Sequence, residues 1–164
     1  MESRAKLFGH PIHQQLIVFP LGLLAMAVIF DVISFATRNL HWTEMAFYMI
    51  GAGIVTGLLA AVFGLIDWLG IPSNTRAKSI GAIHGIGNVL VVLLFAASFY
   101  WRYSDPLHAP ISAYALSFLG FFGALFTGWL GGELVNRLGV GVDTGAHLNA
   151  PNSLTSPEQR KPAA

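Results

Sequence analysis

The chain has 164 residues, of which 54% are hydrophobic and 10% charged, with a formal net charge of +1 and no cysteine. A soluble domain carries about a quarter charged residues, so this is the composition of an integral membrane protein, and its near-neutral balance points to neither nucleic acid nor an acidic partner. The absence of cysteine excludes disulfides, thiolate metal sites, iron–sulfur clusters and covalently attached c-type haem.

Four apolar stretches follow one another, each near the roughly 20 residues needed to cross a bilayer. The first runs from Pro11 to Ala36, with Pro11 suited to a first helical turn, where its missing N–H costs nothing. Its apolar run is too long for a secretory signal and has no small-x-small cleavage signature, so it reads as a retained helix. The second span, Met45–Ile71, is closed by Pro72 and Ser73. The third covers Ser79–Trp101, and Pro106 and Pro110 bracket the connection to the fourth, Ile111–Val135. Residues 1–142 therefore read as one transmembrane domain, and the Gly-, Asn-, Ser- and Pro-rich stretch 143–164 as a disordered polar tail. Connections this short make neighbouring helices antiparallel, which predicts an all-α, up-down four-helix bundle.

The few polar residues inside the spans fall on helical seams. In span one His13, Ile17, Pro20, Leu24, Ala27 and Asp31 recur at steps of four and three. In span two Gly53, Gly57, Ala60, Gly64 and Asp67 make a small-residue stripe, the means by which membrane helices approach closely. Gly81, His84 and Asn88 share a face of span three, and Glu133 continues a stripe through Leu130, Phe126 and Gly123 in span four. Alternating helix direction then brings His10, His13, Asp67, His84 and Glu133 to one level, with Asp31 nearer the opposite face.

Ionisable groups at membrane depth are costly and mark function by default. Each also has a plainer reading. His10 and His13 could cap a first turn, Asp67 could pair with Arg76, and Glu133 with Arg137 one turn on. His84 resists such a reading, because it lies about 9 Å inside its span if the helix begins near Lys78. His41, His108 and His147 fall in loops or the tail and read as surface residues.

The segments GHPIHQQLIVFPLGLL, GLLAAVFGLIDWLGIP, the Ala82–His84 run with Asn88, and GWLGGELVNRLGVGV together resemble the bacterial membrane-protein family catalogued as domain of unknown function 2231, over about residues 9–142. The resemblance implies a four-helix membrane fold and draws attention to His10, Pro11, His13, Asp31, Asp67, His84, Gly131, Gly132 and Glu133. Relatives joined to electron-carrier domains tilt the reading toward redox chemistry.

Three functions compete. In the first, His13 and His84, on diagonal spans, ligate a b-type haem for electron transfer, with Arg76 or Lys78 meeting the propionates and a redox protein as partner. In the second, His10, His13, Asp67, His84 and Glu133 hold non-haem iron, zinc or manganese. In the third, the polar cluster is the packed core of a non-catalytic accessory subunit of unknown oligomeric state. No hydrolase, kinase or nucleotide motif is present, and the GxGxxG-like runs lie inside apolar helices rather than after a strand.

Orientation follows from the basic residues. Arg4, Lys6, Arg76, Lys78 and Arg137 stand at one end, against Arg38 and Arg102 at the other. This predicts a multi-pass protein of the bacterial inner membrane with both termini and the site on the cytoplasmic side. A C-terminal alkaline-phosphatase fusion is expected to be inactive and a fluorescent-protein fusion bright; the reverse pattern overturns the orientation.

Overall fold

The computed structural model describes residues 1–155. The expected polar tail, 143–164, lies outside the described residues from position 156 onward. A small hairpin, β1 (Lys6–Leu7) and β2 (His10–Pro11), precedes α1 (Ile12–Leu16), α2 (Val18–Thr37), α3 (His41–Gly70), α4 (Arg76–Arg102) and α5 (Ile111–Gly132), which ends in a π-helical turn, Glu133–Arg137. The spans are Ile12–Thr37, His41–Gly70, Arg76–Arg102 and Ile111–Arg137, all long and apolar enough to cross a membrane. At 30 residues, α3 is about 45 Å long, the full depth of a bilayer with its headgroups.

Two spans begin earlier than hydropathy places them, beside polar side chains that it does not register. α3 starts at His41 rather than Met45, its first N–H donating to Asn39 Oδ1 at 3.1 Å. α4 starts at Arg76 rather than Ser79, because Thr75 Oγ1 accepts from Lys78 N at 3.1 Å. Span one divides at Ile17, between α1 and α2. Pro20 has no N–H to give the Leu16 carbonyl, so one hydrogen bond is lost where the two helices meet.

The helices are ordered α2–α3–α4–α5 around the bundle. α2 packs most closely on α3 and α5 on α4, while the α3–α4 and α2–α5 seams are looser. The core is small: Leu24, Ala27 and Val28 of α2, Ala46 and Ile50 of α3, Val91 and Phe95 of α4. The expected stripe faces α2 and α1, with Gly53 against Leu24, Gly57 against Pro20 and Gly64 against His13. Large apolar side chains such as Phe19, Leu58, Leu90 and Phe122 point outward instead. That arrangement suits a chain whose surrounding solvent is hydrocarbon, where close packing and internal polar bonds hold helices together.

At the end carrying the two helix-connecting loops α2–α3 and α4–α5, Asp31 and Arg102 are completely buried. The guanidinium forks onto the carboxylate, Nη1 donating to Oδ1 at 2.9 Å and Nη2 to Oδ2 at 2.7 Å. Its Nε donates to Ser98 Oγ at 3.2 Å and Nη2 also to Ser117 Oγ at 3.3 Å, and the cation lies 4.6 Å over the Tyr114 ring. Arg102 is thus a core residue tying α4 to the diagonal α2, not the free interfacial charge that its place at a span end suggested. Removing one partner strands a charge in low dielectric, which costs about 3–5 kcal/mol. Asp31→Ala and Arg102→Ala are each expected to lower the thermal midpoint of the detergent-purified protein sharply. Asp31→Leu with Arg102→Met is expected to recover most of that loss, and a double variant no better than the singles would show that the pair is not the relevant tie.

Candidate functional site

At the opposite end of the bundle two histidines meet across the diagonal. α1 presents His13 to α3, where the ring Nδ1 lies 2.8 Å from the Ala60 carbonyl oxygen. α4 presents His84 to α5, with Nδ1 2.8 Å from the Thr127 carbonyl oxygen. A nitrogen facing a carbonyl carries the proton, so both rings are assigned as the Nδ1–H tautomer with an acceptor lone pair on Nε2. The ring centres are 6.4 Å apart and the planes stand at 88°.

Glycines make room for both rings. A Cβ at Gly64 would lie 2.9 Å from His13 Cε1 and Nδ1, and one at Gly131 would lie 3.2 Å from His84 Cε1. Gly131, flagged by the family resemblance, is therefore the surface on which His84 rests. Of the α4 glycines near His84, Gly81 faces Trp68, Gly87 faces Thr127, and Gly85 is open.

The two nitrogens left over differ. His84 Nε2 accepts from Asn88 Nδ2 at 3.2 Å, and the same amide nitrogen donates to the His84 carbonyl at 2.9 Å. Asn88 Oδ1 in turn accepts from Thr127 Oγ1 at 3.0 Å. His84, Asn88 and Thr127 thus form a closed set joining α4 to α5. His13 Nε2 has no hydrogen-bond partner among the described residues.

The remaining expected ligands do not join them. Asp67 accepts from Ser3 Oγ at 2.7 and 2.9 Å and from Arg4 N at 2.8 Å, fastening the N-terminal segment across the bundle end. Glu133 takes Arg76 Nη2 at 2.6 Å, so Arg76 is ion-paired rather than free for a propionate, and neither anticipated local pair, Asp67 with Arg76 or Glu133 with Arg137, forms. Lys78, the alternative propionate partner, lies 3.8 Å over the Trp68 ring and donates to the Trp68 carbonyl. His10 is exposed on β2, with Nε2 3.3 Å from Ser153 Oγ. Among the described residues no group of three or more His, Asp or Glu could hold a metal ion. The anticipated five-residue cluster is instead one histidine pair flanked by three separately satisfied groups. The reason is reach: carboxylates at the helix ends find hydroxyl, backbone N–H and arginine donors on neighbouring segments at the same end, at lower cost than extending into the bundle.

The N-terminal segment also meets the chain beyond α5. Glu2 accepts from Lys6 Nζ and from Thr144 Oγ1, and these bonds hold its carboxyl at about 2 against an ordinary 4.5. Gly141 N donates to the Met1 carbonyl at 2.8 Å. Asp67, Ser3 and Glu2 together thus lay residues 1–11 over the end of the bundle that holds the histidines.

The carbonyl partners Ala60 and Thr127 carry no side-chain signal that sequence reasoning could use. Asn88 does, standing four residues after His84 on the same face. A family model described as "Predicted membrane protein (DUF2231)" matches residues 9–144. No curated protein and no solved structure matches the chain. With most of its length covered by that model, the chain belongs to the DUF2231 family of predicted membrane proteins.

Proposed function

We propose that His13 and His84 are paired imidazole ligands for a b-type haem in an electron-transfer protein of the bacterial inner membrane, with both termini cytoplasmic. The observation that carries this reading is the anchoring of each Nδ1–H on a backbone carbonyl of the neighbouring helix. Metal-ligating histidines commonly have their other ring N–H held on an acceptor in this way, which fixes the tautomer and leaves Nε2 as donor to the metal. The two rings stand across the diagonal with centres 6.4 Å apart, so together they would supply two imidazole nitrogens to one iron. With Asp67 and Glu133 engaged elsewhere, the available donor set is two imidazoles, which suits haem better than non-haem iron, zinc or manganese.

With His13 and His84 as its holders, haem would supply a one-electron couple suited to electron transfer rather than oxygen chemistry. The chain's own residues orient the rings: Ala60 and Thr127 through their carbonyls, Gly64 and Gly131 by admitting them. Asn88 has a different part. Its amide stands at His84 Nε2, so it must turn aside for His84 to ligate, and Thr127 Oγ1 remains as its partner when it does. A redox protein at the cytoplasmic face would take or supply the electron.

A second reading rests on the saturation of His84, whose two nitrogens already have partners. In it, the pair is a polar tie between the two helical hairpins of an accessory subunit.

The absorption spectrum of protein purified in detergent from haem-replete cells separates the two. A Soret band with sharpened α and β bands on reduction is expected. His84→Ala and His13→Ala are expected to lose it while still inserting, and Asn88→Ala and His108→Ala to keep it. A wild-type protein with no Soret band, whose His84→Ala variant merely loses about 1–3 kcal/mol of stability from unpaired polar groups, would overturn the haem reading in favour of the tie.

A further inference from the structure

On the outer surface of the bundle, α4 and α5 leave a trough of about 540 Å³ between them. Its walls are Ile83, Ile86 and Leu90 of α4 and Leu119, Phe122 and Phe126 of α5, each more than half exposed. Gly87 lies at its floor, where a Cβ would meet Thr127 Cγ2 at 2.6 Å, so the helices approach too closely there for side chains to fill the gap.

From Ile83 to Leu94 the trough runs eleven residue steps, about 17 Å. That is close to half of the roughly 30 Å hydrocarbon core. A transmembrane helix of a second copy would call for a complementary face over the whole core, whereas one leaflet's acyl chain needs only half of it.

The charge at one end of the trough identifies the rest of the occupant. Two helical turns below Ile83 on the same face of α4 is Arg76, and two turns beyond Phe126 on α5 is Glu133. These two residues touch at 2.6 Å, so both walls continue to one point. Arg76 keeps 59% of its side chain exposed despite that bond. Arg137 follows Glu133 by one turn, is exposed, and has no ion-pair or hydrogen-bond partner among the described residues. Two arginines against one glutamate leave a net positive charge at the depth where a headgroup would sit.

We infer that this trough seats one anionic phospholipid, its acyl chain along the α4–α5 groove and its phosphate at Arg137 and the open edge of Arg76. Basic residues bordering a cleft between membrane helices are the usual means of selecting anionic headgroups. The assignment is independent of whether the histidines hold haem.

Native mass spectrometry of the full chain, released from detergent containing equimolar phosphatidylglycerol and phosphatidylcholine, tests it. The wild type is expected to retain one phosphatidylglycerol about fivefold more often than phosphatidylcholine, the preference of a single well-placed cation. Arg137→Gln is expected to bring that ratio close to one, and Arg137→Lys to preserve most of it. Leu90→Trp, which fills the trough, is expected to reduce retention of both lipids, with Leu90→Phe as the milder variant should the larger one fail to fold. Equal retention of the two lipids by the wild type, or a preference unchanged by Arg137→Gln, overturns the headgroup site. Retention unchanged by filling the trough overturns the seat of the chain.

Discussion

The Asp31–Arg102 pair holds this bundle to a single arrangement. Each ion alone would be prohibitive in hydrocarbon, and each becomes tolerable only against the other, with Ser98, Ser117 and the Tyr114 ring completing the guanidinium's surroundings. Since the partners lie on diagonal helices, satisfying them fixes α2 relative to α4, and their hairpin partners α3 and α5 follow. Hydrophobic burial cannot do this in a membrane, because lipid tails are as apolar as the helix faces they cover. Ser34 and Thr43, hydrogen-bonded at 2.8 Å nearby, extend the same logic to the α2–α3 hairpin.

The opposite end is built differently. There the diagonal contact is between two imidazole rings, each hydrogen-bonded to a backbone carbonyl of the neighbouring helix. One end of the bundle diagonal is therefore a saturated lock, and the other a contact in which His13 Nε2 has no hydrogen-bond partner among the described residues. The strap of residues 1–11, fastened by Asp67, lies over that second end. The ion pair at one end and the histidine pair at the other are thus separate features of one bundle.

Small residues serve both ends. The stripe that brings α3 against α2 ends at Gly64, where it makes space for an imidazole, and Gly131 does the same on α5. Glycine packing and histidine placement are one feature here, since a ring can lie flat against a neighbouring helix only where that helix has no Cβ. The outer face of α4–α5 shows the complementary effect: close approach at Gly87 leaves a furrow that lipid, rather than protein, is shaped to fill.

By itself the sequence determined the class, the membrane location, the four spans, the up-down order and the diagonal placement of His13 and His84. Hydropathy and a 3.6-residue period are local properties, and short loops leave few topologies. The same periodicity put Asp31 on an inward seam and Asn88 beside His84. What it could not determine was pairing. Arg102 at a span end reads as an interfacial charge, and Glu133 reads as a neighbour of Arg137, because sequence shows separation along the chain and not across it. Tertiary structure alone joined Arg102 to Asp31, 71 positions away, and Arg76 to Glu133, 57 positions away. It also drew Asp67 to the N-terminal backbone and supplied the Ala60 and Thr127 carbonyls to the histidines. Those partners are backbone groups or long flexible side chains, whose choice depends on which helix faces which and at what height, and that is settled only when the four spans pack and every polar group must find a bond away from water.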